Sequence, residues 1–289
     1  MKYLDLNIVG IILFWFKTKL KNYYYYLFKY YPLGFGVISK TKELKNSKAD
    51  KCAIVFANGP SLGKISADKV ALLQGTGDYE VLAVNSYITS TFADLVKPNY
   101  YIISDPAYIV PETISEERLS KIRKEELKKD VDKLLENKTK VFISAQYYTK
   151  APFQTKYAFF DSANFFSNNV NILKPAGYLS MTAYKALAIA CFMGYKNIYI
   201  CGFDNNYFKN VVVDENNGMY YIDTHFYNSD NKPPRKVVDS HSKSIGELLY
   251  FHHYNFKHLE KFKAFPIVNL DKEGLVDSFS KKHDLDIYK

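Results

Sequence analysis

A doubly wound α/β domain built on a mostly parallel sheet is the fold class this sequence predicts, and three observations predict it. Short, wholly apolar runs recur along the chain, each of them ends in a polar or glycine-containing turn, and helical patterns fall between them. Apolar runs without alternation mean strands covered on both faces, as parallel strands with crossover helices are.

The first fifty residues precede that pattern and differ from it. They hold nine lysines against Asp5, Glu43 and Asp50, which is +6 of the net +9, and 12 of the 48 aromatic residues. Ile8 to Phe16 is an unbroken apolar run of nine residues, whereas a spanning helix needs about 20. Lys17, Lys19 and Lys21 come next, then Tyr23 to Tyr26. Lysine beside tyrosine and tryptophan suits the membrane interface, with apolar bodies in the acyl boundary and polar tips among headgroups. The small residues of a cleaved signal peptide do not follow the run. Residues 1–50 are therefore expected to be a basic, aromatic membrane-associating segment and linker, peripheral to the cytoplasmic face of the inner membrane. A helix packed on the body, or on a partner subunit in a homo-oligomer, is the first alternative, and a true span is the second. Pro32 to Asp50, with Gly34 and Gly36, reads as the connector, and Lys51 opens the domain at 51–289.

Within that domain, Cys52 to Ala57 is the first strand, ending in the turn Asn58-Gly59-Pro60-Ser61, and periodic residues up to Leu73 make a helix. Val81 to Val84 is a second strand ending at Asn85-Ser86, and Tyr100 to Ser104 a third ending at Asp105-Pro106. Glu116 to Lys138 is a charged amphipathic helix, and Val141 to Ser144 a fourth strand. Ser180 to Met193 is a helix of small residues stopped by Gly194, leading into the strand Asn197 to Cys201. Residues 205–240, rich in Asn and Tyr, are a lid-like insert or a disordered one. Glu247 to Phe262 is the last long helix and Pro266 to Leu270 the last strand.

Composition narrows the function. Hydrophobic residues at 47% and charged residues at 24% exclude global disorder. Three cysteines without C-x-x-C spacing exclude a disulfide scaffold and suggest no zinc site. Beyond residue 50 the chain carries only +3, which argues against nucleic-acid binding. In open α/β sheets ligands sit beyond the C-terminal strand ends, where Asn58, Asn85, Asp105 and Asp204 fall. The Asn58 turn is neither a dinucleotide-binding glycine motif nor a Walker loop, but its backbone N–H groups could meet a phosphate. Asp130-Val131-Asp132 and Asp284-Leu285-Asp286 read as solvated faces rather than metal-binding pairs. His241, between two serines beside the insert, suits a general base or a surface position. His252 and His253 look structural, and for His225, His258 and His283 the sequence alone points to no particular partner residue.

The motif order resembles the bacterial lipooligosaccharide sialyltransferases, glycosyltransferase family 42. Ala57-Asn58-Gly59-Pro60-Ser61-Leu62, Val84-Asn85-Ser86-Tyr87, Gly194 to Tyr199 with Gly202-Phe203-Asp204, Asn217-Gly218-Met219-Tyr220-Tyr221, and His241-Ser242-Lys243-Ser244 occur in that order. Motility-associated flagellin glycosylation factors and archaeal-type pterin pyrophosphokinases share the first and third motifs. The resemblance spans about 50–275, without a match around 110–165. It implies a variant nucleotide-sugar transferase (GT-A-like, Rossmann-type) fold and an inverting, metal-independent transfer of a sialic acid or related keto sugar. The donor would be CMP-activated, and the acceptor an oligosaccharide or lipooligosaccharide, with no cofactor. By that resemblance His241 is the base. Tyr221 and Tyr207 bond the departing phosphate, Tyr207 being a looser match because a direct count falls on Asn206. Donor binding falls to Asn58, Gly59, Ser61, Asn85, Ser86, Asp105, Ser180, Thr182 and Asp204. Leu179 replaces the family's arginine, and Asp105 stands where an amide is usual. A non-catalytic membrane-surface assembly protein and a pterin-type pyrophosphokinase are the competing readings.

Overall fold

The computed structural model describes residues 8–115, 119–160, 170–174, 181–221, 225–226, 235–236 and 244–282. Its centre is an eight-stranded sheet. The strands are β1 (Cys52–Phe56), β2 (Tyr79–Val84), β3 (Tyr100–Ile103), β4 (Lys140–Ser144), β5 (Lys156–Phe159), β6 (Asn197–Cys201), β10 (Ile267–Asn269) and β11 (Ser280–Lys281), in the order β11-β10-β6-β1-β2-β3-β4-β5. Every pairing is parallel. From β1 the chain runs outward through β2 to β5, then returns to β1's other side at β6. The strand order thus reverses between β1 and β6, and that reversal opens a crevice at their C-terminal ends.

Successive residues of each strand bury into opposite faces. Ala53, Val55 and Ala57 join one core cluster with α6 (Thr182–Met193) and the end of α7 (Ile245–Leu259). Ile54 and Phe56 join the other with α3 (Ala67–Gly75) and α5 (Lys121–Glu136). This is the period-2 alternation of a sheet with two covered faces, and it accounts for the apolar runs. α6 packs closely because Ala183, Ala186, Ala188 and Ala190 are all buried, and Gly194 ends it in a left-handed turn (φ 76°). A single turn, α4 (Phe92–Leu95), precedes β3.

The N-terminal segment departs from the expected linker. α1 (Ile8–Tyr24), a π-helical stretch (Tyr25–Tyr30) and α2 (Tyr31–Lys42) run on without a break. Pro32 lacks an N–H and crowds the carbonyl four residues back, and the wider π-helical turns fall just before it. The expected connector is therefore helical to Lys42, and the end of α2 and the turns after it are docked on the domain. Thr41, fully buried, accepts at Oγ1 from Ala158 N of β5 at 3.0 Å. Asn46 N and Lys48 N donate to the carbonyls of Phe192 and Met193. Lys48 Nζ reaches Glu80 at 2.6 Å, where Tyr195 also donates at 2.5 Å. Burial raises the Glu80 pKa, but the bonds from Lys48 and Tyr195 outweigh it and hold the carboxyl below its usual value.

The 205–240 insert is part of the fold where it is described. β7 (Val211–Val213), β8 (Met219–Tyr221) and β9 (Arg235–Lys236) form a small antiparallel sheet. Asn217 (φ 59°) turns β7 into β8, and Asp214 Oδ1 accepts from Asn216 N and Gly218 N.

Candidate functional site: a cleft where the strand order reverses

Beyond the ends of β1, β2 and β6 lies an open cleft, about 540 Å³ with the solvent at its mouth included. Strand ends and the first turn of α6 build it. Asn58, Gly59 and Pro60 come from β1, Asn85 from β2, Gly202 to Asn206 from β6, Met181 to Tyr184 from the start of α6, and His225 from the insert.

The β1 and β6 loops cross in close contact. Gly59 N donates to Gly202 O at 3.0 Å. A Cβ on Gly59 would stand 1.9 Å from Asp204 Oδ2 and 2.6 Å from Gly202 O. Gly202 is left-handed (φ 72°), and a Cβ there would stand 2.4 Å from Ala57 O. Asp204 locks the crossing. Its carboxylate accepts from Ser61 N, at 3.2 Å to each oxygen, and from Ser61 Oγ at 2.9 Å. Burial raises the Asp204 pKa, with the Ser61 bonds opposing.

These contacts change the expected role of the Asn58 turn. Gly59 N, Ser61 N and Leu62 N all donate within the protein, and Pro60 has no N–H. The turn therefore offers none of these groups to an anion, and Ser61 clamps it rather than facing a ligand. The first turn of α6 is the better place for negative charge. Thr182 is its first residue, no side chain among the described residues caps it, and its Oγ1 is held 2.7 Å from Ser104 Oγ.

Amides surround that helix start. Asn58 is 5% exposed, and its Nδ2 donates to Val84 O at 3.1 Å. Its Oδ1 is buried with no hydrogen-bond partner among the described residues. A buried acceptor left unmade costs about 1–3 kcal/mol, so it favours a ligand bearing an N–H or O–H. Asn85 (φ 54°) and Asn205 (φ 51°) are both left-handed, a conformation asparagine tolerates better than most residues. Tyr101 OH donates to Asn85 O and accepts from Ile88 N, which fixes the β2 turn. Asn205 Nδ2 donates to Tyr184 OH at 2.6 Å.

Other expected site residues lie elsewhere. Ser86 turns away from the cleft into a second polar cluster, where its Oγ is 3.2 Å from both Tyr108 OH and Arg123 Nη2. Asp130 belongs to that cluster too. It is 1% exposed rather than solvated, and its Oδ1 accepts from Thr89 Oγ1 at 2.7 Å. Burial raises its pKa against the Thr89 and Ser86 bonds. Asp105 is exposed and outside the cleft, capping the turn at Pro106–Tyr108 through Ala107 N at 2.9 Å. His241, Ser180 and Leu179 lie outside the described residues, as do the side chains of Tyr207 and Tyr221. By backbone, Tyr207 opens the turn into β7, and Tyr221 ends β8 opposite Val211.

Residue type alone does not single out Ser104, Tyr184, Asn205 or His225. His225 Nδ1 lies 3.2 Å from Asn58 O, which also accepts from Phe226 N. A carbonyl can only accept, so the proton sits on Nδ1. No local sequence signal marks His225, because its place depends on how the insert folds back. Asn205 does carry a signal, being the second polar residue after a strand-ending glycine.

No protein-family model matches the chain, and no curated protein sequence matches it. Among solved structures, the MAf glycosyltransferase from Magnetospirillum magneticum AMB-1 is similar at 8% identity with a TM-score of 0.47. The alignment covers 86% of this chain and 37% of that one. The chain thus spans well under half the length of that enzyme, and the likeness is too distant to bear on function.

Proposed function

We propose that the cleft binds a CMP-activated keto sugar and that the protein transfers the sugar to a glycan hydroxyl by metal-independent, inverting displacement. The observation that carries this reading is the cleft's lining. Among the described residues it contains no lysine or arginine, and its one carboxylate, Asp204, is committed to Ser61. A pyrophosphate donor brings two adjacent charges and normally a divalent cation, for which this lining has no cationic side chain and no carboxylate pair. A single phosphate diester asks for less. The α6 N-terminus, Thr182 Oγ1 and amide donors suffice for one delocalised charge. The same lining speaks against a magnesium-dependent pyrophosphokinase. Asn58 Oδ1 suits an exocyclic amine or a sugar hydroxyl.

The resemblance supplies the remaining roles. Tyr221 and Tyr207 bond the departing phosphate, and His241 removes the acceptor proton as the new bond forms. His225 ties the insert to the Asn58 carbonyl, which couples the insert to the end of β1 beside the donor.

Nucleotide-induced thermal stabilisation tests the reading. CMP should raise the unfolding temperature more than UMP or GMP, and without magnesium. Thr182→Val keeps the shape but removes one hydrogen bond to the phosphate, and should weaken CMP roughly 10-fold. Magnesium-dependent stabilisation by ATP, with no response to CMP, would replace this reading with the kinase.

A further inference from the structure

α1 carries an apolar face that none of the described residues covers. Val9, Ile12, Leu13, Phe16, Leu20, Tyr23 and Tyr24 are 48–64% exposed. Their spacing of three, one, three, four, three and one places them on a single stripe at about 100° per residue. Leu27 and Phe28 continue the exposed apolar surface beyond it, at 50% and 69%. Lys17 and Lys19 flank the stripe, one position after Phe16 and one before Leu20, with Lys21 next to Lys17's side. The other side of the helix is more covered. Phe14 and Trp15 are half-buried, and Lys19 Nζ sits 4.5 Å from the Trp15 ring centre. At its base the segment is anchored, with Tyr26 edge-on to Phe160 at 4.9 Å.

We propose that this face docks on an anionic lipid bilayer, with α1 lying in the plane of the interface. Ile12, Leu13 and Phe16 would enter the acyl boundary, and Lys17, Lys19 and Lys21 would meet the headgroups. Length sets the orientation. Among the described residues no helix is long and apolar enough to cross a membrane, and the unbroken apolar run Ile8 to Phe16 rises only about 14 Å before Lys17. Charge selects the occupant. Lys17, Lys19 and Lys21 lie beside the face, and α1 contains not one aspartate or glutamate. Pairing this face with its copy in a second chain would bring those cations together with no carboxylate to answer them, whereas anionic headgroups answer each one.

Co-sedimentation of the full chain with lipid vesicles tests the proposal. Vesicles of phosphatidylglycerol and phosphatidylethanolamine should pellet the protein, while pure phosphatidylcholine binds it far more weakly. The triple variant Lys17→Gln, Lys19→Gln, Lys21→Gln removes the three charges beside the face, and should lose roughly 100-fold in affinity for the anionic vesicles. Leu13→Glu with Phe16→Glu should abolish binding to both compositions, with far-ultraviolet circular dichroism reporting whether the fold persists. Wild-type protein that ignores anionic vesicles overturns the proposal, as does a lysine variant that binds them undiminished. Dimerisation without lipid that is lost in the Leu13/Phe16 variant would assign the face to a second copy of the chain instead.

Discussion

Gly59→Ala probes the crossing of the β1 and β6 loops on which the cleft depends. The backbone itself admits alanine, since Gly59 sits at φ −69° and ψ 159°. In the unfolded chain the extra methyl would even favour folding, by about 0.4–1 kcal/mol. The obstacle is contact, with the new Cβ 1.9 Å from Asp204 Oδ2 and 2.6 Å from Gly202 O. Gly202 O cannot retreat freely, because it accepts from Gly59 N at 3.0 Å and belongs to a residue itself pressed on Ala57 O. The Asp204 carboxylate must therefore swing away and release Ser61, and each hydrogen bond to a charged group is worth about 1.5–3 kcal/mol. Allowing for the favourable backbone effect, the net loss should be about 3 kcal/mol, or roughly 6–12 °C in unfolding temperature. Differential scanning calorimetry measures the temperature, and equilibrium dialysis with CMP follows the cleft. Gly75→Ala is the control. That glycine lies in α3 with nothing within 4 Å of its would-be Cβ, so the change should be neutral or stabilise by up to about 1 kcal/mol. If Gly59→Ala unfolds within about 2 °C of wild type and binds CMP as well, the crossing does not constrain the cleft.

Two further outcomes rest on buried groups elsewhere in the fold, and a third on the family resemblance. Glu80→Ala leaves Lys48 and the buried Tyr195 hydroxyl without their acceptor, and should cost about 3–5 kcal/mol in urea unfolding. Because the folded Glu80 pKa is lowered, its stabilising contribution is complete above the unfolded value of about 4.5 and fades as pH falls further, so wild type and Glu80→Gln should converge in acid. Burial, with Lys261 adding to it, pushes His258 down to about 4. The neutral ring must be kept in the folded state, so stability should decline as pH drops from about 6.5 towards 4 by up to roughly 3 kcal/mol, and His258→Gln should flatten that limb of a pH series. Finally, His241→Ala should lower transfer by roughly 10²–10⁴-fold while CMP-induced stabilisation is retained, and full activity in that variant would make His241 a surface residue.

The strands that build the cleft are legible in the sequence because parallel strands covered on both faces leave runs such as Cys52-Ala-Ile-Val-Phe and Asn197-Ile-Tyr-Ile-Cys, which few other structures require. β5 is not, because Lys156-Tyr-Ala-Phe is a mixed edge strand, and β11 is only two residues long. Pro32, Gly34 and Gly36 argue locally against a helix, and a π-helical stretch followed by tertiary docking through Thr41 overrides them. In the site, strand ends place Asn58, Asn85 and Asp204 around one cleft, as the order reversal demands. Adjacency misleads for Ser86, since consecutive residues in a tight turn face opposite ways. Asp130 reads as solvated beside Asp132, although it falls three after Leu127 and four before Leu134 on α5's buried stripe. That spacing is the available signal. Asp105 behaves as asparagine and aspartate often do after a strand, bonding its own backbone two residues on.

Whether the cleft takes a single-phosphate donor is decided by product release from a panel of nucleotide sugars, each incubated without acceptor and without divalent metal, with the freed nucleotide resolved by chromatography. A CMP-linked keto acid, CMP-sialic acid first and CMP-Kdo next, should release CMP slowly and be unaffected by EDTA, while UDP- and GDP-sugars remain intact. Preferential breakdown of a UDP- or GDP-sugar, or turnover that requires manganese or magnesium, would contradict the single-phosphate cleft.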